Sequence, residues 1–145
     1  YLPVVQSLSE KQEINQTKEP IQGGIERILL VDDEKAIIGM EKSMLERLGY
    51  RVTSQISSVE ALEVFRANSN KFDLVITDMA MPNMPGDKLS VELTKIRPDI
   101  PILLCTGFSE TMSEEKAKSL GIKGFLFKPI VMKDLSQKIR KVLDK

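Results

Sequence analysis

ILLVDDEKA, residues 28–36, carries four apolar positions straight into Asp32, Asp33 and Glu34. A strand so uniformly apolar reads as buried on both faces. Yet it ends in three neighbouring carboxylates, which raise one another's pKa and oppose ionisation. One acid in that place is a helix cap. Two adjacent aspartates at the end of an apolar strand call for a positive charge between them.

Working outward from this stretch, the same rhythm repeats. Short apolar or β-branched runs fall at Ile28–Val31, Val52–Gln55, Leu74–Thr77, Ile102–Cys105 and Phe125–Phe127. Between them lie longer segments of helical period. Ile37, Met40, Met44, Leu45 and Leu48 are expected on one helix face. Ala61, Leu62 and Phe65 share another, Leu89, Leu93 and Ile96 a third, and Val131, Leu135, Ile139 and Val142 the last. The segment Ser109–Leu120 offers only Met112, Ala117 and Leu120, so it is expected to pack least firmly. Five strands alternating with five helices predict an α/β fold, a parallel sheet covered on both faces.

Composition bounds the function. The 145 residues fit one domain by the prior of roughly 100 to 200 residues each, and 41% apolar content supplies one core. Lys plus Arg equals Asp plus Glu at 21 each, so no global basic field exists to hold nucleic acid or an anionic membrane. The single cysteine, Cys105, lies inside the run PILLC and excludes an internal disulfide framework. No apolar stretch approaches the ~20 residues that span a bilayer, and no signal peptide is visible. The expected location is cytoplasmic, whatever membrane anchor the parent protein carries elsewhere. Residues 6–24 are polar, contain a proline and end in Gly-Gly, so they read as a linker. Residues 1–24 are therefore assigned to the end of a preceding domain plus linker, and 25–145 to the folded domain.

In parallel α/β sheets, ligands bind beyond the carboxyl ends of the strands, where strand order reverses. The residues at those ends are Asp32 and Asp33 after the first strand, Asp78 after the third, Thr106 after the fourth and Lys128 after the fifth. Three carboxylates, a hydroxyl and an ammonium would thus meet at one edge. Bland readings exist for each. Asp33 could be an N-cap, Asp78 a turn residue before MAMPNMPG, Thr106 turn chemistry before Gly107, Phe125 plain core packing, and Lys128 a solvated strand end. Their joint occurrence argues against all of these together.

LLVDDE, DLVITDMAMPNMPG, PILLCTG and GFLFKP, in that order, resemble the receiver domain of two-component response regulators over residues 25–145. The resemblance implies a flavodoxin-like sheet of order 2-1-3-4-5 and a phosphoacceptor at Asp78. It also implies a divalent cation, Mg2+ or Mn2+, held by Asp32, Asp33, Asp78 and the main-chain carbonyl of Ala80. Thr106 and Lys128 would contact the phosphoryl group, Phe125 would be the switch aromatic, and the Lys128–Pro129 bond would be cis. Such a domain catalyses its own phosphorylation and dephosphorylation. The chemistry suits these residue types: a carboxylate attacking phosphorus meets an anionic donor, so positioning and charge neutralisation dominate. Mg2+ takes one or two carboxylates plus phosphate oxygens and keeps several waters.

The chain contains no histidine, so a phosphohistidine donor must lie outside it, and no Gly-rich nucleotide loop is present. The opening YLPVV resembles the closing strand of a histidine kinase ATP-binding domain. Followed by a linker and a terminal receiver, it favours the C-terminal receiver of a hybrid sensor histidine kinase. The expected partners are that kinase core, a histidine phosphotransfer domain, or both, with no nucleic acid and no direct membrane contact. A free-standing regulator remains the alternative. A haloacid-dehalogenase-like hydrolase wants a second acid two residues after its nucleophile. Asp78 has Ala80 there, and Asp32-Asp33-Glu34 fits poorly.

Overall fold

The computed structural model describes residues 23–107 and 114–144. All of the expected linker but Gly23 and Gly24, and residues 109–113 of the expected fourth helix, Met112 included, lie outside them. The strands are β1 (Arg27–Val31), β2 (Arg51–Gln55), β3 (Leu74–Asp78), β4 (Ile102–Thr106) and β5 (Ile122–Phe127). The helices are α1 (Lys35–Arg47), α2 (Ser58–Ala67), α3 (Gly86–Ile96), α4 (Glu114–Ser119) and α5 (Met132–Leu143), with a 3-10 turn at Ser69–Lys71. The sheet order is β2-β1-β3-β4-β5 and every pairing is parallel. This is the doubly wound, flavodoxin-like sheet of order 2-1-3-4-5 with five helices. Among the described residues no helix is long and apolar enough to cross a membrane.

Side chains alternate across a strand, so each central strand feeds both layers. Leu29, Val31, Val75, Ile102 and Leu104 pack with Ala61, Leu62 and Phe65 of α2, Leu89 and Leu93 of α3 and Ala117 of α4. Ile28, Leu30, Leu74, Ile76, Leu103 and Cys105 pack instead with Ile38 and Leu45 of α1 and Leu135 and Ile139 of α5. β1, β3 and β4 are buried almost throughout, as continuous apolar runs require. Each fully buried leucine or isoleucine contributes on the order of 1.5–3 kcal/mol by leaving water.

Three expectations need correction. In α1 the buried residues are Ile38, Glu41 and Leu45, not the stripe Ile37–Met40–Met44–Leu45–Leu48. Met40 is half exposed, and Ile37, Met44 and Leu48 are only partly covered. The helix rolls by about one position because its inner face meets charged groups as well as apolar ones. Val131, expected on the apolar face of α5, precedes the helix as its cap and is half exposed. β5 begins at Ile122, not Phe125. A register shift between Ile102 and Leu103 of β4 pairs Ile102 with Ile122 but Leu103 with Gly124. Lys123 and Gly124 hide this opening segment, since neither is a strand former.

That irregularity has a positional effect. Ile122 belongs to the α2–α3–α4 layer and Leu126 to the α1–α5 layer. Four residues apart on a regular strand, they would share a face. The extra residue at the bulge exchanges the faces of everything that follows, and Lys128 follows.

Candidate functional site

Backbone pairing carries the acids and the ammonium to one edge. Val31 is registered with Thr77 and Asp78 with Cys105, so Asp32 and Asp78 leave adjacent strands side by side. Each strand end is held by its neighbour: Asp32 N donates to Gln55 O (3.2 Å), Met79 N to Cys105 O (2.9 Å) and Lys128 N to Thr106 O (2.9 Å). By alternation Asp32 follows Ile28 and Leu30, Asp78 follows Leu74 and Ile76, and Lys128 follows Leu126, so all three take the α1–α5 side of the sheet. Without the bulge in β5, Lys128 would take the other. The start of α3 is drawn against the same edge, because Gly86 N donates to Met79 O at 2.8 Å. A β-carbon at Gly86 would overlap the Asp78 carbonyl oxygen.

One carboxylate oxygen each from Asp32, Asp33 and Asp78 lie within 4.8 Å of one another. Lys128 Nζ is 2.7 Å from Asp78 Oδ1 and 3.7 Å from Asp32 Oδ2. Asp32 and Asp78 are buried, Asp33 is partly covered. Burial raises the pKa of Asp32, offset in part by the Glu34 N–H that its Oδ1 accepts at 2.9 Å and by the charge of Lys128. Burial also works to lower the pKa of Lys128. The hydrogen bond to Asp78 and the charges of Asp78, Asp32 and Glu41 outweigh it and hold the ammonium protonated far above neutrality. Two buried oxygens at this edge, Asp32 Oδ2 and Thr106 Oγ1, have no hydrogen-bond partner among the described residues. A buried polar atom left so is costly. The oxygen of Asp32 therefore suits a hard cation, and the hydroxyl of Thr106 suits an acceptor oxygen. Thr106 is 2% exposed, so its hydroxyl does not face solvent.

The remaining expected residues are placed as follows. Ala80 is exposed in the loop after β3, two residues beyond Asp78. Phe125 is partly buried against the α2–α3–α4 layer, and its ring stacks on that of Phe127 with centroids 6.3 Å apart. The Lys128–Pro129 bond is cis. Asp33 is not the N-cap of α1: Glu34 holds that position and makes no side-chain cap bond. Cys105 is buried, and its thiol pKa is pushed well above the ordinary value, first by burial and then by the charge of Glu41.

An acidic pocket closed by one lysine, at the carboxyl edge of a doubly wound sheet, defines a class of signalling domain. The family model of the response regulator receiver domain matches residues 28–140, and the chain belongs to that family, the receivers of two-component signalling. The two-component response regulator ARR10 of Arabidopsis thaliana is 37% identical over 109 residues, covering 75% of this chain and 20% of the plant protein. The sensor kinase CckA of Brucella abortus is 34% identical over 122 residues, 84% of this chain and 13% of the kinase. A solved receiver domain protein from Clostridium thermocellum superposes with a TM-score of 0.78 at 35% identity, covering 83% of this chain and 95% of that one. The chain spans a fifth or less of the curated relatives' length.

Sequence reasoning missed Glu41. It is 3% exposed, its Oε2 has no hydrogen-bond partner among the described residues, and its pKa is pushed up to about 7, first by burial and then by the negative charge of Asp32. The unfolded chain loses this proton near the ordinary glutamate value of 4.5. Between those two values the unfolded state binds fewer protons than the folded one, so the stability owed to Glu41 falls as pH rises. In EDTA, Glu41→Gln is expected to match wild type near pH 4.5. By pH 8 it should exceed wild type on the order of 2–3 kcal/mol, at 1.36 kcal/mol per pKa unit. Urea unfolding at both values measures the difference; a gap that does not widen with pH contradicts the assignment.

Proposed function

We propose that residues 25–145 form the phosphoacceptor unit of a phosphorelay, joined to a preceding domain by the linker of residues 6–24, and that Asp78 takes its phosphoryl group from a partner's phosphohistidine. The observation that carries this reading is the meeting of Asp78 with Asp32, Asp33 and Lys128 beside the hydroxyl of Thr106, which has no hydrogen-bond partner among the described residues. An Asp78 carboxylate oxygen attacks phosphorus, an O–P bond forms, the P–N bond breaks, and the imidazole departs. Lys128 supplies a point charge for the phosphoryl oxygens, and the Thr106 hydroxyl donates to one of them. Asp32, Asp33, Asp78 and the main-chain carbonyl of Ala80 would hold the divalent cation, Mg2+ or Mn2+. When bound, it neutralises the charge that gathers between two anionic reactants. The hard oxygen donors fit such an ion, Asp32 Oδ2 among them, which has no hydrogen-bond partner among the described residues and faces only the more distant ammonium of Lys128 at 3.7 Å. The receiver domain of sensor histidine kinase PA1611 from Pseudomonas aeruginosa has a magnesium ion coordinated in its active-site cleft; at 22% identity and a TM-score of 0.73, its likeness to this chain is one of fold.

Drawing the Thr106 hydroxyl toward the phosphoryl group leaves room behind it, which the Phe125 ring can fill. The altered face of α4, β5 and α5 then signals the state of Asp78 to its partner. That partner is the histidine kinase core of the same polypeptide, a histidine phosphotransfer domain, or both, and the domain works in the cytoplasm. The parent is read as a hybrid sensor histidine kinase on two supports. One is the similarity to sensor kinase CckA over 122 residues; the other is YLPVV ahead of the linker.

Incubation with acetyl phosphate and Mg2+, followed by intact-mass measurement, is expected to add a single phosphoryl group that Asp78→Asn abolishes and EDTA prevents. Addition that survives the substitution, or needs no divalent cation, contradicts the site. For the parent, an antibody to this domain is expected to capture from source cells a polypeptide far larger than 16.3 kDa that autophosphorylates with ATP. A band near 16.3 kDa, or a large one without kinase activity, overturns the hybrid reading.

A further inference from the structure

The chemistry above gives Glu41 no part, yet its placement is not that of a solvated helix acid. Ile38, Glu41 and Leu45 form the inner stripe of α1. Ile38 and Leu45 settle into the layer with Leu30, Ile76, Cys105 and Leu126. Glu41, between them on the stripe, therefore reaches toward the sheet face from which Asp32, Asp78 and Lys128 project. Its Oε2 is buried there without a hydrogen-bond partner among the described residues. A leucine would fill this volume without the desolvation cost of a carboxyl group, so packing alone does not account for a glutamate.

Lys128 presents a difficulty that Glu41 resolves. Its Nζ lies 2.7 Å from Asp78 Oδ1, on the carboxylate that must attack phosphorus. An oxygen clamped by an ammonium is both shielded and less nucleophilic. The other acid within reach, Asp32 at 3.7 Å, belongs to the cation cluster. Glu41 stands outside that cluster and acts on the same ammonium: its charge helps keep Lys128 protonated, and the charge of Lys128 acts in turn on Glu41. We infer that Glu41 is a positioning residue for Lys128, whose carboxylate draws the ammonium off Asp78 Oδ1 as the phosphoryl group arrives and leaves it between Glu41 and the phosphoryl oxygens. The inference rests on Asp78 being the phosphoacceptor.

Phosphorylation by acetyl phosphate at pH 8 and saturating Mg2+, followed by intact mass, is compared in wild type, Glu41→Gln, Lys128→Met and the double variant. Glu41→Gln is expected to slow phosphorylation about fivefold or more, equivalent to about 1 kcal/mol of barrier. The loss should fall on the rate at saturating donor and not on the donor concentration needed, and Glu41→Asp should recover part of it. In the Lys128→Met background the same substitution is expected to change the rate by less than about twofold, since the two residues act as a coupled pair. Equal rates in wild type and Glu41→Gln, or a fivefold loss that persists without Lys128, overturns the inference. A second readout needs no phosphorylation. The side-chain ammonium NMR signal of Lys128 is expected to move in Glu41→Gln and to stay in place in Glu46→Gln, an exposed acid of the same helix. An unmoved signal in Glu41→Gln also overturns it. If wild type takes up no phosphoryl group, the reading of Asp78 fails, and the ammonium signal still decides the role of Glu41.

Discussion

Carboxylates crowded at the edge of a buried sheet repel one another, and among the described residues the structure answers with one ammonium. Asp32 and Asp78 are almost wholly buried, Asp33 stands beside them, and Glu41 enters from α1. Against these stands Lys128, in contact with Asp78 and Asp32. Coulomb interactions in such surroundings are several times stronger than in water, so the acids hold Lys128 protonated against its own burial. The deficit of positive charge suits the edge to a divalent cation, and under the proposed function such an ion would let an anionic nucleophile meet an anionic donor. A domain folded around a neutral pocket would have neither property.

The sheet meets this constraint through register. Parallel pairing sets Asp32 beside Asp78, and backbone bonds at the strand ends fix the residues that carry the charge. The bulge between β4 and β5 turns Lys128 to the side where the acids wait. Gly86 admits α3 close against the Asp78 backbone. Fold and site are thus one problem, since a slip of one residue in β5 would turn exposed Lys123 into the place of buried Ile122 and remove the ammonium of Lys128 from the acids.

Much of this was legible in the sequence because its signals are strong and local. Apolar runs that end in Asp32, Asp78 and Thr106 announce central strands, and the rule that ligands gather at their carboxyl ends brings the acids and Lys128 together without coordinates. What stayed hidden has physical reasons. Glu41 was overlooked because period-based reading assigns charged residues to the solvent face, whereas the inner face of α1 covers a charged pocket. The same assumption placed Met40 inward when it is half exposed. The early part of β5 was missed because a bulge breaks the alternation by which strands are recognised, and Gly124 weakens it further. That the Thr106 hydroxyl has no hydrogen-bond partner among the described residues depends on its neighbours in space, so no local pattern reports it.

Among the described residues the acids are held together by a single ammonium, that of Lys128, whose work a divalent cation can share. Thermal unfolding of wild type and Lys128→Met, each in EDTA and in millimolar Mg2+, tests it most directly. Removing one partner of a buried pair leaves uncompensated charge and costs about 3–5 kcal/mol. Lys128→Met should therefore melt well below wild type in EDTA, and Mg2+ should raise its midpoint by more than it raises that of wild type, because a site stripped of its ammonium binds the cation more tightly. An equal rise in both proteins, or a variant as stable as wild type in EDTA, would contradict it.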